Sequence, residues 1–255
     1  MPGGAGPIAA GSAPEVDIPT AKELIEQIHV HVSVQEIGEL ARELEAKAAR
    51  MRELLLAPGL DVARVRAATE LTFVGRRRAS EILGTREEAE LTEWVGDLLG
   101  GTAPLAERFE RFCAPLHALS HGAAAELAGE LLHFTSPQTR WLWSRWIWSP
   151  ESGTGALALL IGEDYELEAD TPGAAYERVG RAIARLHESP EAGAFRIHGG
   201  GALATDVLLA CTYGVYMRTV LGLKMTQEFN ALVPPMPELV RRLLGTHLTP
   251  RQEAR

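Results

Sequence analysis

The chain has 255 residues, of which 46% are apolar and 23% charged, and 34 acidic against 25 basic residues give a formal net charge of −9. This composition excludes disordered, collagen-like and membrane-spanning chains and indicates a soluble globular protein. The acidic balance also argues against a nucleic-acid partner, because phosphate backbones are bound by extended basic faces. The arginine clusters at 76–78 and 241–242 are too short to form such a face.

Cysteine usage and the N-terminal composition point to a cytoplasmic location. The chain has two cysteines, Cys113 and Cys211, and they are not in C-x-x-C spacing. Two cysteines are too few for a disulfide framework, which is typical of proteins from a reducing compartment. Residues 1–19 hold four glycines, four prolines and no basic residue, so we expect a flexible tail rather than a secretory signal. No uncharged run approaches the roughly 18 residues of a membrane-spanning helix, so we expect no integral insertion. The predominance of arginine over lysine is typical of bacterial proteins with GC-rich genes.

Helix-start signals recur along the chain. Thr20, Ser33 and Thr85 each precede a glutamate by three residues, the spacing of a capping box. Pro137 and Pro172 follow a hydroxyl residue, as at the first position of a helix. With glycine and proline stop signals, the pattern predicts helices over 21–31, 34–56, 62–83, 86–99, 104–134, 137–148, 172–188, 202–221 and 237–244. The predicted fold is all-α, a bundle-like or orthogonal array of about nine helices with little or no sheet.

The distribution of charge divides the predicted helices into two regions. Residues 20–100 are charged and read as an N-terminal helical hairpin region, whereas 101–245 form a more apolar core that contains the tryptophans. Gly100-Gly101 is the candidate hinge between them, and 246–255 form a C-terminal tail. An apolar heptad stripe in the helix 34–56 predicts packing against the helix 62–83 or against a partner.

The strongest metal-site candidate lies between residues 113 and 133. His117 and His121 follow Cys113 at helical spacing, and Glu130-x-x-His133 has the spacing of helical di-iron ligands. In one continuous helix, Cys113 and the two histidines lie on the face opposite Glu130 and His133. A break near Gly122 would let the two groups converge. Imidazole and carboxylate ligands together favour Fe, Mn or Zn. We therefore take His117, His121, Glu130 and His133 as candidate ligands.

Four of the five tryptophans lie within Arg140–Trp148, which we call the Trp-rich segment and which also contains Arg145. The segment predicts a helix that is bulky and apolar nearly all round. It could be buried core, a partner-binding surface, the wall of an aromatic ligand site or an interfacial membrane helix. We take its residues as a candidate partner or ligand surface: Trp141, Trp143, Arg145, Trp146 and Trp148.

A glycine run precedes the helix 202–221. Backbone N–H groups of Gly199, Gly200 and Gly201 could hold an anion at the start of that helix. The neighbouring His198 completes a sequence like the oxyanion loop of lipase-type hydrolases, but the chain has no Gly-x-Ser-x-Gly nucleophile motif. A complete catalytic signature is therefore lacking.

Three hypotheses of function follow. The first is a cytoplasmic protein that acts by binding another protein or a further copy of itself, as an assembly or accessory factor of a larger enzyme complex. The alternative is a metal-dependent, oxidoreductase-like enzyme that uses the His/Glu cluster of 113–133. The third is peripheral membrane contact through the Trp-rich segment.

Overall fold

The computed structural model describes residues 13–116, 119–197, 201–224 and 234–248. Within these ranges the chain forms eleven α-helices, and the β-pairing consists of two isolated bridges, Val16–Ile161 and Ser149–Thr154. The predicted all-α, multi-helix fold is confirmed. Among the described helices none is long and apolar enough to cross a membrane.

Most helices lie close to the predicted ranges: two predicted helices are divided, one helix, Pro190–Arg196, is added, and the predicted helix 137–148 is absent. The helices are α1 (Ile18–His31), α2 (Val34–Leu56), α3 (Val62–Glu70), α4 (Gly75–Leu83), α5 (Glu88–Gly100), α6 (Leu105–Cys113), α7 (His121–Thr135), α8 (Pro172–Glu188), α9 (Pro190–Arg196), α10 (Ala204–Lys224) and α11 (Met236–Leu244). The predicted helix 62–83 is interrupted between α3 and α4. The predicted helix 104–134 is interrupted between α6 and α7, where a 3₁₀ turn covers Ala114–Leu116.

The start of α2 follows directly from the sequence. Ser33 Oγ accepts a hydrogen bond from the Glu36 N–H at 3.2 Å, and the Glu36 carboxylate accepts one from the Ser33 N–H at 2.8 Å. Val32 and Ile37 are buried on either side of this capping box, in the positions of a hydrophobic staple. The other two predicted boxes are not formed: Asp17 caps α1, and α5 begins without a side-chain cap.

The core is one continuous cluster to which both predicted regions contribute. The heptad stripe of α2 is buried within the molecule, where α2 packs against α7 as well as α3. Trp94 of α5 stacks on Phe112 of α6 with ring centroids 4.2 Å apart, across Gly100-Gly101. Burial of this apolar surface is the main stabilising contribution to such a fold.

The Trp-rich segment is not helical, so the predicted helix 137–148 is wrong. The segment forms turns and irregular chain between α7 and α8. Its backbone carbonyls bond to distant side chains: the Trp141 carbonyl accepts from Tyr176 Oη at 2.9 Å, and the Arg140 carbonyl lies 2.8 Å from His133 Nδ1. Gly129 of α7 has no side chain, which lets the backbone of Trp143 lie directly against the helix. Tertiary contacts thus override the local helical pattern.

Candidate functional site

Helix α7 carries the main buried ionisable side chains of the described core. Glu126, Glu130 and His133 are spaced by four and three residues, which places them along one side of the helix. All three are at least 96% buried. Each pairs with a different part of the chain, so α7 is the centre of a polar network inside an apolar core.

Glu130 forms an ion pair with Lys47 of α2. Lys47 is fully buried, and its Nζ donates to Glu130 Oε2 at 2.8 Å and to the Leu244 carbonyl at 3.0 Å. Nζ also lies 4.2 Å from the ring centroid of Phe134, within the range of a cation–π contact. The second oxygen, Glu130 Oε1, accepts the backbone N–H of Phe73 at 2.7 Å. Both carboxylate oxygens therefore have partners.

His133 pairs with Asp206 of α10. Its Nε2 lies 2.8 Å from Asp206 Oδ2, and its Nδ1 donates to the Arg140 carbonyl, which can only accept. Burial disfavours the imidazolium, but the Asp206 carboxylate and these hydrogen bonds outweigh it, so the pKa of His133 lies above its usual value. Asp206 Oδ1 is buried and has no hydrogen-bond partner among the described residues.

Glu126 joins α7 to the Trp-rich segment. Its Oε1 accepts the Arg145 N–H at 3.1 Å, and its Oε2 accepts Arg145 Nε at 3.2 Å. Burial raises the pKa of Glu126, and the guanidinium of Arg145 offsets part of that rise. The side chain of Arg145 is 45% exposed, so its charge reaches the surface. This pair holds the later part of the Trp-rich segment against the first half of α7.

The structure assigns other partners to two of the four predicted metal ligands. Both oxygens of Glu130 and both ring nitrogens of His133 are occupied by protein groups. His117 and the side chain of His121 lie outside what the structure describes. Among the described residues there is no group of three His, Cys, Asp or Glu side chains that could hold a metal ion. Burial and the nearby Glu110 raise the pKa of the Cys113 thiol to about 12, which disfavours the thiolate.

The Trp-rich segment lies mainly in the core. Trp143, Trp146 and Trp148 are buried, and the indole N–H groups of Trp143 and Trp146 donate to the carbonyls of Trp148 and Leu243, at 3.0 and 3.1 Å. These three rings are thus unavailable to a partner in this conformation. Trp141 is half-buried, so with Arg145 it is the part of the predicted surface that reaches solvent.

Of the predicted anion-binding glycines, Gly199 and Gly200 lie outside the described residues. Gly201 has a φ of +51° and opens the 3₁₀ turn Gly201–Leu203 that leads into α10. A positive φ of this kind favours glycine.

Lys47 was missed by the sequence analysis. It lies beside the apolar stripe of α2, and its spacing from Glu43 predicts a solvent-facing i, i+4 ion pair. Instead, Glu43 binds Arg241 of α11 at 2.9 Å, and Lys47 turns inward. Among the partners of the α7 side chains, only Asp206 could have been recognised from the sequence. It is an acid within an otherwise apolar helix, and a buried acid requires a partner.

An exposed aromatic ring lies beside this network. Phe73, in the turn between α3 and α4, is 49% exposed, whereas its neighbours Thr72 and Val74 are buried. We call residues 71–75 the Phe73 turn. Its backbone N–H at Phe73 donates to Glu130, so the turn is connected directly to the buried ion pair.

No family model, curated protein or solved structure matches the chain.

Proposed function

We propose that this is a cytoplasmic protein that acts by binding another protein, as an assembly or accessory factor, through a surface centred on the Phe73 turn. The observation that supports the proposal is a half-exposed phenylalanine on a turn that a buried ion pair holds in place. Burying an exposed aromatic ring is among the most favourable single contributions at protein interfaces. The two unpaired cysteines agree with a reducing compartment.

The backbone of the Phe73 turn is fixed on both sides of the ring. Thr72 Oγ1 donates to the Thr69 carbonyl at 2.7 Å and accepts the Gly75 N–H at 3.0 Å. A Cβ on Gly75 would overlap the Thr69 carbonyl oxygen, so the chain can turn this closely only at glycine. A ring on a fixed backbone costs less conformational freedom on binding than a ring on a mobile loop, which favours affinity.

The charges around the turn indicate the chemistry of the partner. Arg76 and Arg77 are exposed at the start of α4, and Arg76 Nη1 donates to His247 Nε2 at 3.1 Å. Arg77 has no ion-pair partner among the described residues. Arginine and phenylalanine are enriched at interfaces, where a cationic rim pairs with an acidic surface. The partner face we propose is therefore an apolar recess bordered by carboxylates.

The experiment introduces a photo-crosslinking residue into the proposed surface, and the cells that produce the protein are irradiated. Phe73→p-benzoylphenylalanine should capture one main partner after irradiation, whereas the same residue at Val34, which is 50% exposed on α2, should not. The captured protein is then identified and purified. A covalent dimer of this chain would identify the partner as a second copy.

Binding of the purified partner is then measured by isothermal titration calorimetry with matched variants. We expect Phe73→Ala to weaken binding by at least about tenfold and Arg77→Glu by a smaller factor, because truncated aromatic anchors cost more than rim charges. Val34→Ala should bind like the wild type. The proposal is wrong if Phe73→Ala binds with unchanged affinity while its circular dichroism remains that of the wild type.

A further inference from the structure

A surface cleft of about 300 Å³ lies between α8 and the first residues of the Trp-rich segment. One wall is a stripe of α8, where Tyr176, Gly180 and Ala184 follow one another at intervals of four residues. The other wall contains Arg140 and Trp141. We call this the α8 cleft. It uses the one tryptophan of the segment that reaches solvent.

The walls of the α8 cleft are held by hydrogen bonds from buried groups. Tyr176 Oη donates to the Trp141 carbonyl at 2.9 Å, and the Arg140 carbonyl accepts from His133 Nδ1. A Cβ on Gly180 would lie 3.3 Å from Trp141 Cδ1, so the absence of a side chain lets the indole lie close to α8. The indole and the guanidinium beside it therefore stand on a fixed backbone, which reduces the ordering cost of binding.

The charges in the cleft favour an anion. Arg140 and Arg181 contribute two guanidiniums against one carboxylate, that of Glu177. Among the described residues neither arginine forms an ion pair, and the hydrogen bond of Arg140 is to the adjacent Thr139 carbonyl, at 3.3 Å. Within an acidic protein this cleft thus carries a local positive charge. Arginine presents paired donors that match a carboxylate or a phosphate.

We propose that the α8 cleft binds a small anion with a flat apolar body, an aryl carboxylate or an aryl phosphate. The anionic group meets Arg140 and Arg181, and the ring packs against Trp141 and the small side chain of Ala184. The site is separate from the Phe73 turn, so it can be correct whether or not the proposed protein partner exists.

Binding is measured by titrating isotope-labelled protein with benzoate and phenyl phosphate and following the Trp141 indole resonance by NMR. We expect a Kd on the order of 1 mM or tighter for at least one of the two, the range open to ligands of this size. Benzamide lacks the charge and inorganic phosphate lacks the ring, so each should bind at least about tenfold more weakly. Absence of binding by both aryl anions, or equal binding of inorganic phosphate, overturns the proposal.

Matched variants locate the site. Arg140→Gln and Arg181→Gln should each weaken binding at least about fivefold, because each removes one charged donor pair. Arg185→Gln is the control, since Arg185 lies on α8 outside the cleft and pairs with Glu188. Ala184→Phe, which fills the cleft, should abolish binding, and Arg181→Glu provides a second block should that variant fail to fold. Equal losses in Arg185→Gln and Arg181→Gln would show that the arginines act through surface charge alone and would refute the assignment.

Discussion

At the scale of single residues, one unfavourable contribution to folding is the burial of the charged Lys47 and Glu130 side chains between α2 and α7. Lys47 and Glu130 are both removed from water, and a buried ion is tolerated only with a partner at short distance. The Leu244 carbonyl and the Phe73 N–H complete the hydrogen bonding of this pair. One carboxylate and one ammonium therefore join four segments that are far apart in sequence: α2, the Phe73 turn, α7 and the end of α11.

Removing one member of the Lys47–Glu130 pair should lower the free energy of unfolding far more than removing both charges. We expect Lys47→Met to lower the free energy of unfolding by about 3–5 kcal/mol, because it leaves the Glu130 carboxylate buried and unpaired. The double variant Lys47→Met/Glu130→Gln should regain part of that loss, since the introduced amide is neutral and its oxygen still accepts the Phe73 N–H. Urea denaturation of the four proteins of the cycle measures this coupling. Additive losses would contradict a coupled pair.

The His133–Asp206 pair should give the stability a defined pH dependence. The folded pKa of His133 is raised above the unfolded value of about 6.5, so its stabilising contribution is complete below that pH and is lost as the pH rises through the folded pKa. The difference in free energy of unfolding between the wild type and His133→Gln should therefore be larger at about pH 6 than at about pH 9. Titrating groups that do not contact His133 are shared by the two proteins, so their contributions cancel. A difference that grows with pH would contradict the raised pKa.

At the scale of elements, two glycines within helices differ in what surrounds them. Gly129 of α7 faces the Trp143 backbone, with the carbonyl oxygen 3.0 Å from an added Cβ, whereas Gly96 of α5 meets open space. Gly129→Leu should destabilise by about 1–3 kcal/mol through overpacking. Gly96→Ala should stabilise by about 0.5–1 kcal/mol, the usual gain for a helix interior.

Thermal and urea unfolding of both glycine variants distinguish close packing from helix propensity. Gly96→Leu is the matched control, because it adds the same side chain to a helix with room for it. If Gly129→Leu were as stable as Gly96→Leu, the close contact between α7 and the Trp-rich segment would not hold in solution.

The difference between local signals and tertiary contacts explains which elements the sequence could predict. Helix α2 was predicted closely because its capping box and its apolar stripe both lie within one segment. The Trp-rich segment was predicted wrongly because its conformation depends on His133, Tyr176 and Gly129, which lie outside the segment and are invisible to local periodicity. Glu130 and His133 were recognised as unusual, but spacing alone cannot distinguish a metal site from two separate buried pairs.

At the scale of the whole molecule, contacts across Gly100-Gly101 oppose a division into two independent units. Trp94 stacks on Phe112, and Lys47 binds Glu130, so each predicted region completes the core of the other. Helix α11 closes over α2 through the pair of Arg241 and Glu43 and through the Leu244 carbonyl. The charged region 20–100 therefore has no separate apolar core, which is the usual requirement for a domain.

We therefore expect residues 20–100 and 101–245 to unfold together, although cooperative two-state unfolding is most common below about 150 residues. Pulsed hydrogen exchange in increasing urea, read by mass spectrometry, follows peptides from both regions in one experiment. Their protection should be lost at a common urea midpoint, and Lys47→Met should move both midpoints equally, because the ion pair spans the two regions. Loss of protection in 20–100 at a distinctly lower urea concentration would show instead that the hinge at Gly100-Gly101 separates two units and that the shared core contributes little to their stability.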